Sequence, residues 1–217
     1  MKTALVIGAT GLVGSSLVDL LMNDEHFQKV KAFARRPTER KNSKLEEYLI
    51  NFDQPEEWKS LVKGDVLFSS LGTTIKKAGS QQEQYKIDFT YQFSMAEVAA
   101  RNGVETYVLV SSAGADSRSG IFYSRMKGEL EEAVKKLPFS RIIILQPGIL
   151  DGDRNESRPL EKLSIFIAGG LKYIPGLKKY RPVHAKIVAR AMINASVSES
   201  PGIKTLALEE VFELAKD

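Results

Sequence analysis

Cysteine is missing from the 217-residue chain. Its absence excludes disulfides and thiolate chemistry, and it is compatible with a reducing cytosol, so a cytoplasmic location is expected. Histidine is scarce: with only His26 and His184 present, no metal-binding constellation is apparent. The most apolar stretch of the C-terminal part, residues 163–171, is too short to span a bilayer, so no integral membrane contact is expected. Met1-Lys2 leads straight into an apolar run, so no signal peptide is expected. The net charge is +4, yet no dense Lys/Arg stripe with interleaved aromatics appears, which argues against nucleic acid as a partner. There is no internal repeat, low-complexity tract or flexible linker. What remains is a soluble globular composition, 43% hydrophobic and 27% charged, long enough for one large domain.

The chain's opening is its most informative stretch. The apolar run Ala4, Leu5, Val6, Ile7 ends in Gly8, and Gly11 and Gly14 follow at three-residue intervals. Leu12, Val13, Leu17, Leu20 and Leu21 then take up helical spacing. Strand, tight glycine turn and helix are the expected order. Such a turn aims backbone N–H groups and the positive end of a helix at an anion, usually a dinucleotide pyrophosphate. Gly8 allows the sharp exit from the strand, Gly11 the close approach of phosphates, and Gly14 the close packing of helix on sheet. The spacing G-x-x-G-x-x-G differs from the G-x-G-x-x-G fingerprint.

A second strand, residues 29–34, ends in Arg35-Arg36-Pro37. In a doubly wound sheet this strand end lies beside the adenosine ribose. An acid there selects NAD by bonding the 2′-hydroxyl, whereas arginine accommodates the 2′-phosphate of NADP. Two arginines and no acid predict NADP(H).

Further along, strands are expected at 48–52, 65–70, 106–110 and 141–145, separated by a short helix over 55–62, a long one over 81–102 stopped by Gly103, and another over 121–136. This alternation predicts an α/β fold: a Rossmann-type doubly wound parallel sheet with helices on both faces. The core is expected at 1–150, and 151–217 reads as a small substrate-covering extension of the same domain. Within it, helices are expected near 160–170, 183–196 and 209–216, with a short strand at 204–208. Asp53, at the exit of the third strand, either touches adenine or caps the next helix. Leu71-Gly-Thr-Thr74 forms a second glycine-bearing loop at the carboxyl edge, where Thr73 and Thr74 either face a cofactor or cap a turn.

The other informative stretch is Ser111-Ser112 followed by Tyr123-Ser-Arg-Met-Lys127. Y-x-x-x-K places tyrosine and lysine on one helix face, one turn apart. An ammonium beside a phenol favours the phenolate, which readies the tyrosine to exchange a proton with a carbonyl or alcohol oxygen. A serine at the neighbouring strand end can polarise that oxygen. Arg154, Arg158 and the basic stretch 172–181 either recognise an acidic substrate or are solvated loop charges. His184 either reaches the nicotinamide side or serves structure; His26 is expected on the surface.

With these stretches in place, the chain resembles the short-chain dehydrogenase/reductase superfamily. The resemblance rests on Gly8-Ala-Thr-Gly11-Leu-Val-Gly14, Ser111-Ser112 and Tyr123-x-x-x-Lys127. More narrowly it resembles the atypical Tat-interacting-protein group of NAD(P)-binding proteins, through Leu71-Gly-Thr-Thr-Ile-Lys-Lys-Ala-Gly79, Tyr123-Ser-Arg-Met-Lys-Gly-Glu129 and Asp153-Arg-Asn-Glu-Ser-Arg-Pro159.

The resemblance implies NADP(H) as cofactor, and the residues expected at it, several of them from their strand-end positions, are Gly8, Thr10, Gly11, Leu12, Val13, Gly14, Arg35, Arg36, Asp53, Leu71, Gly72, Thr73, Lys127 and Pro147. It implies Tyr123 and Lys127 as catalytic residues, with Ser112 favoured over Ser111 as the serine. The superfamily often places an asparagine on its long fourth helix; this chain has Asp88 there. Two functions follow: an NADP(H)-dependent oxidoreductase acting on an unidentified carbonyl or alcohol, or an NADP(H)-sensing regulatory or interaction module without turnover. A protein partner or a homodimer stays open.

Overall fold

The protein is described from a computed structural model, covering residues 1–151, 182–197 and 200–216. Its strands are β1 (Lys2–Ile7), β2 (Phe27–Ala34), β3 (Leu45–Leu49), β4 (Val66–Ser69), β5 (Thr106–Val110), β6 (Arg141–Gln146), β7 (Leu150–Asp151), β8 (Val183–His184) and β9 (Gly202–Ala207). Seven of them form one parallel sheet in the order β3-β2-β1-β4-β5-β6-β9. β7 and β8 pair separately.

The central strands are mostly apolar, and every residue of β4 and β5 is buried, because both faces are covered. Ala4 and Val6 of β1 join Val108 and Val110 of β5 on one face. That face is covered by helices α1 (Leu12–Asn23) and α7 (Ala185–Val197), with Val211 of α8 (Glu209–Leu214). Leu5, Ile7, Tyr107 and Leu109 point the other way. They pack under α2 (Pro55–Trp58), α5 (Tyr91–Arg101) and α6 (Phe122–Val134). The chain winds from β1 to β2 and β3 on one side, then crosses to β4 on the other. That reversal opens a crevice at the carboxyl ends of β1 and β4.

The structure departs from local sequence patterning in three places. The third strand begins at Leu45 rather than 48, with Val30 opposite Leu45 and Ala34 opposite Leu49. As an edge strand it needs only a half-apolar face, so Glu46 and Glu47 fit within it. Phe52 is released to pack on Trp58 and Tyr91.

The long helix is interrupted. After α3 (Ile75–Ala78) come α4 (Gln81–Tyr85), a π-helical segment Lys86–Thr90, and then α5. Ser80 caps α4 by accepting from the Glu83 N–H at 3.1 Å, and Gly103 takes φ +82° beyond the end of α5.

Finally, α7 and β9 are built into the layers of the domain. α7 packs on α1, and β9 extends the sheet beside β6. The expected helix near 160–170, Arg154, Arg158 and the basic stretch 172–181 lie outside the described residues.

Candidate functional site

The β1–α1 turn is shaped by missing side chains. Gly8 sits at φ +85°, and a Cβ there would lie 2.5 Å from the Ser70 backbone carbon. At Gly14 a Cβ would come 2.1 Å from the Gly8 carbonyl oxygen, and at Gly11 3.1 Å from the same atom. Only glycine lets β1, the β4 exit and the first turn of α1 converge this closely. Gly11 is the N-cap of α1; no side chain caps the helix and its first turn holds no acid. The first N–H groups of the helix are therefore left for another acceptor. Leu12 and Val13 turn their side chains into the core, so only their backbone can face a ligand.

Beside this turn lies a cleft of ≈ 610 Å³, lined by Gly8, Ala9 and Thr10, by Arg35 and Arg36, and by Leu71 and Thr73, with Phe52 and Ile87 as apolar wall. The arginines after β2 divide by role. Arg40 is tied down: its guanidinium bonds Asp19 at 2.6 and 2.9 Å and the carbonyls of Thr38 and Ser15, pinning the loop after β2 to α1. Arg35 and Arg36 are exposed and have no acidic partner among the described residues.

At the other end, Tyr123 and Lys127 lie one turn apart on α6. The Lys127 Nζ sits 5.9 Å from the centroid of the Tyr123 ring. Tyr123 is 40% exposed, whereas Lys127 is 3% exposed. The nearest anionic group to the buried ammonium is Asp88, with Oδ2 at 3.8 Å. That is an ion pair but too long for a hydrogen bond. Among the described residues, no acceptor lies within hydrogen-bond reach of Lys127 Nζ.

The two serines differ sharply. Ser111 is buried and donates to Glu131 Oε1 at 2.5 Å. Glu131 in turn accepts from Gln146 Nε2 at 2.8 and 3.0 Å. Ser111 thus belongs to a buried network joining β5, α6 and β6. Ser112 is half-exposed, and its hydroxyl has only the Ala113 carbonyl, at 3.3 Å.

Asp88 lies in the π-helical segment and is 1% exposed. Its Oδ1 accepts from the Thr73 N–H at 2.7 Å. Burial pushes its carboxyl above the ordinary range, and Lys127, the Thr73 N–H and Gln84 pull it back. Gly72 lies alongside: a Cβ there would meet Asp88 Oδ2 at 3.7 Å.

Other expected residues are placed as follows. Asp53 is not a helix cap, because Gln54 holds the N-cap position of α2. Its carboxylate bonds Lys86 and Tyr91 at 2.9 and 3.0 Å. Thr74 caps α3 through the Lys77 N–H. Pro147 is buried, and its carbonyl accepts from the Ala113 N–H at 2.9 Å. His184 is exposed and accepts from the Lys186 N–H at 3.2 Å at the start of α7. His26 is exposed beside Asp24. Among the described residues, no metal-holding cluster of His, Cys, Asp or Glu occurs, and no helix is long and apolar enough to cross a membrane.

Sequence reading passed over Gly128. A Cβ there would lie 2.2 Å from the Ser117 N and 2.4 Å from the Asp116 carbonyl carbon. The loop after β5 therefore lies directly on α6, one residue past Lys127. A glycine inside an otherwise helical pattern was the available signal.

Residues 8–162 match a family model described as NAD(P)H-binding. The chain belongs to this NAD(P)H-binding family. Its fold is that seen in the short-chain dehydrogenase/reductase superfamily. Among curated proteins, fmp52 of Aspergillus niger is 36% identical, over 98% of this chain and 94% of its own length. Fmp52-1 of Aspergillus terreus is 38% identical, over 99% and 95%. Among solved structures, a superfamily protein from Agrobacterium tumefaciens with bound NAD has a TM-score of 0.71 at 15% identity. The likeness covers 95% of this chain and 77% of that one and speaks to the fold.

The same relatives correct the expected cytoplasmic location. The Aspergillus proteins are named as mitochondrial, which points to mitochondria instead. A lack of cysteine removes disulfides in any compartment, so it could not discriminate between them.

Proposed function

We propose that this NAD(P)H-binding protein is an NADP(H)-dependent oxidoreductase that interconverts a carbonyl and an alcohol. The observation that carries the reading is Lys127: a buried ammonium, beside a half-exposed tyrosine, with no hydrogen-bond acceptor within reach among the described residues. A buried lysine without acceptors is costly unless a ligand supplies them. Ribose hydroxyls are acceptors of the right kind.

The residues present fit a dinucleotide. The glycine cradle would be filled by any Cβ, and the uncapped start of α1 offers N–H groups to a pyrophosphate. Arg35 and Arg36 line the cleft with no acidic partner among the described residues, suited to a 2′-phosphate. Phe52 and Ile87 offer apolar surface to a base. The cofactor, when bound, supplies the hydride-exchanging carbon. Tyr123 gives or takes the proton at the substrate oxygen. Lys127 holds ribose and favours the phenolate. Ser112, not Ser111, polarises the substrate oxygen.

A panel of carbonyl compounds with NADPH tests this. Turnover is expected with at least one class of carbonyl and is expected to vanish in Tyr123→Phe while NADPH binding persists. Turnover unchanged in that variant would overturn the role of Tyr123. Tight NADPH binding without turnover across the panel would replace the enzyme reading by a cofactor-sensing module.

A further inference from the structure

Asp88 holds two parts of the site at once. Its Oδ1 accepts from the Thr73 N–H at 2.7 Å, and its Oδ2 faces Lys127 Nζ at 3.8 Å. Thr73 belongs to the loop after β4 and Lys127 to α6, so the carboxylate bridges the two walls at the proposed ribose end of the cleft. The loop is held at a second point, since Gln84 Nε2 donates to the Thr73 carbonyl at 3.2 Å.

The backbone of Asp88 is itself pinned. Gln92 Nε2 donates to the Asp88 carbonyl at 2.5 Å, and Gln92 Oε1 accepts from Ser69 Oγ at 2.6 Å. This anchors the π-helical segment to the end of β4. A π segment is an insertion that re-aims one residue, and it recurs at functional sites.

The charge of Asp88 has a separate purpose from its oxygen. An asparagine would accept from the Thr73 N–H equally well. A buried ammonium, however, needs a counter-charge, and of the charged groups only Lys127 acts on this carboxyl.

We propose that Asp88 is a positioning residue that assembles the ribose end of the cofactor site, holding the β4 loop with one carboxylate oxygen and the ammonium of Lys127 with the other. The distance of 3.8 Å keeps Lys127 in place while leaving its donors unspent. Asp88 does not touch the reacting atoms; it acts through Lys127 and Thr73. The inference rests on the NADP(H) reading above.

The test compares two ligands. NADPH carries both halves of the dinucleotide; adenosine 2′,5′-bisphosphate carries the adenosine and 2′-phosphate but no nicotinamide riboside. Calorimetry on the full chain would follow Asp88→Asn, Lys127→Met and the double variant, together with the fluorescence of bound NADPH. Asp88→Asn is expected to weaken NADPH by about tenfold or more, as for a lost charge-assisted contact, and to alter its bound fluorescence. The bisphosphate should bind as in the parent protein. In the Lys127→Met background, Asp88→Asn should have less than about a twofold further effect, because its charge acts through Lys127.

Equal loss of both ligands, or the same NADPH loss with and without Lys127, would overturn the proposal. If Asp88→Asn alone fails to fold, a folded double variant supports the charge pair and an unfolded one overturns it. Should the parent protein bind neither ligand, the cofactor reading itself fails. Parent binding with an unaffected Asp88→Asn variant defeats this inference alone.

Discussion

Two crossover units frame the cleft, β1–α1 and β5–α6, and they answer the same packing problem before diverging in chemistry. In each, a helical glycine lets backbone come within about 2 Å of where a Cβ would stand: Gly14 against the Gly8 carbonyl, Gly128 against the Ser117 N. Beyond that the units differ. The β1–α1 unit offers backbone donors and has no charged residue in its turn. The β5–α6 unit offers side chains, with Tyr123 half-exposed and Lys127 buried against Asp88. A backbone site is fixed as soon as the strand and helix pack. A side-chain site needs supporting groups from distant segments, here the π segment and the loop after β4. On the proposed function, binding is built into the fold at one end, while the chemistry at the other depends on a charge balance.

The largest effect is expected where the comparison is sharpest. Tyr123→Phe removes a hydroxyl that has no partner among the described residues, so stability should hardly change. Turnover should fall by roughly 10²- to 10⁴-fold, the usual worth of a positioned proton donor. Steady-state kinetics alongside thermal melting would read both. A melting point lowered with turnover intact would assign this tyrosine to structure and break the contrast between the two units.

Gly14→Ala and Gly128→Ala come next. Each puts a methyl group into main-chain atoms that cannot rotate away. Each should cost about 3 kcal/mol, the upper end for overpacking, or roughly 6–12 °C in melting temperature for a chain of this size. The ligands then separate the two. Gly14→Ala should lose NADPH and adenosine 2′,5′-bisphosphate alike, since it disturbs the start of α1. Gly128→Ala should spare the bisphosphate. Loss of both ligands in the Gly128 variant would mean that the units are not independent.

Smaller again is the double variant Arg35→Ala, Arg36→Ala. Neither arginine is engaged by an acid among the described residues, so the fold should be indifferent. Losing charge-assisted bonds to a 2′-phosphate should weaken NADP by about 10- to 100-fold and leave NAD unchanged in a calorimetric titration. Equal affinity of the parent protein for NAD and NADP would remove the basis for this expectation.

The backbone unit was legible in the sequence and the side-chain unit only in part. Glycine at positions 8, 11 and 14 answers to local sterics, which spacing along the chain records. The central strands were legible because burial on both faces makes them largely apolar runs. Tyr123 and Lys127 were legible as neighbours because helix periodicity is local too. The partner of Lys127 was not, because Asp88 reaches it through a π-helical insertion, and a long apolar helix pattern does not announce one extra residue. Gly128 looked like an ordinary helix position because the backbone that crowds it, Asp116 and Ser117, comes from the loop after β5. The edges were the hardest to place. β3 carries Glu46 and Glu47, and much of β9 is exposed, so neither has the periodicity that marks a strand with a buried face.

The smallest expected effect separates the adjacent serines. Ser111→Ala removes one donor from Glu131, which keeps Gln146 at 2.8 and 3.0 Å. The cost should be about 1 kcal/mol for one buried hydrogen bond, roughly 2–4 °C in melting temperature, with NADPH affinity and turnover within about twofold of the parent protein. Ser112→Ala gives up only a 3.3 Å contact to the Ala113 carbonyl, so its melting temperature should stay put while turnover falls. The opposite pattern, with Ser111→Ala silent in melting and damaging to turnover, would mean that Glu131 releases the Ser111 hydroxyl when substrate binds. The buried network joining β5, α6 and β6 would then be part of the reacting site rather than the frame that holds it.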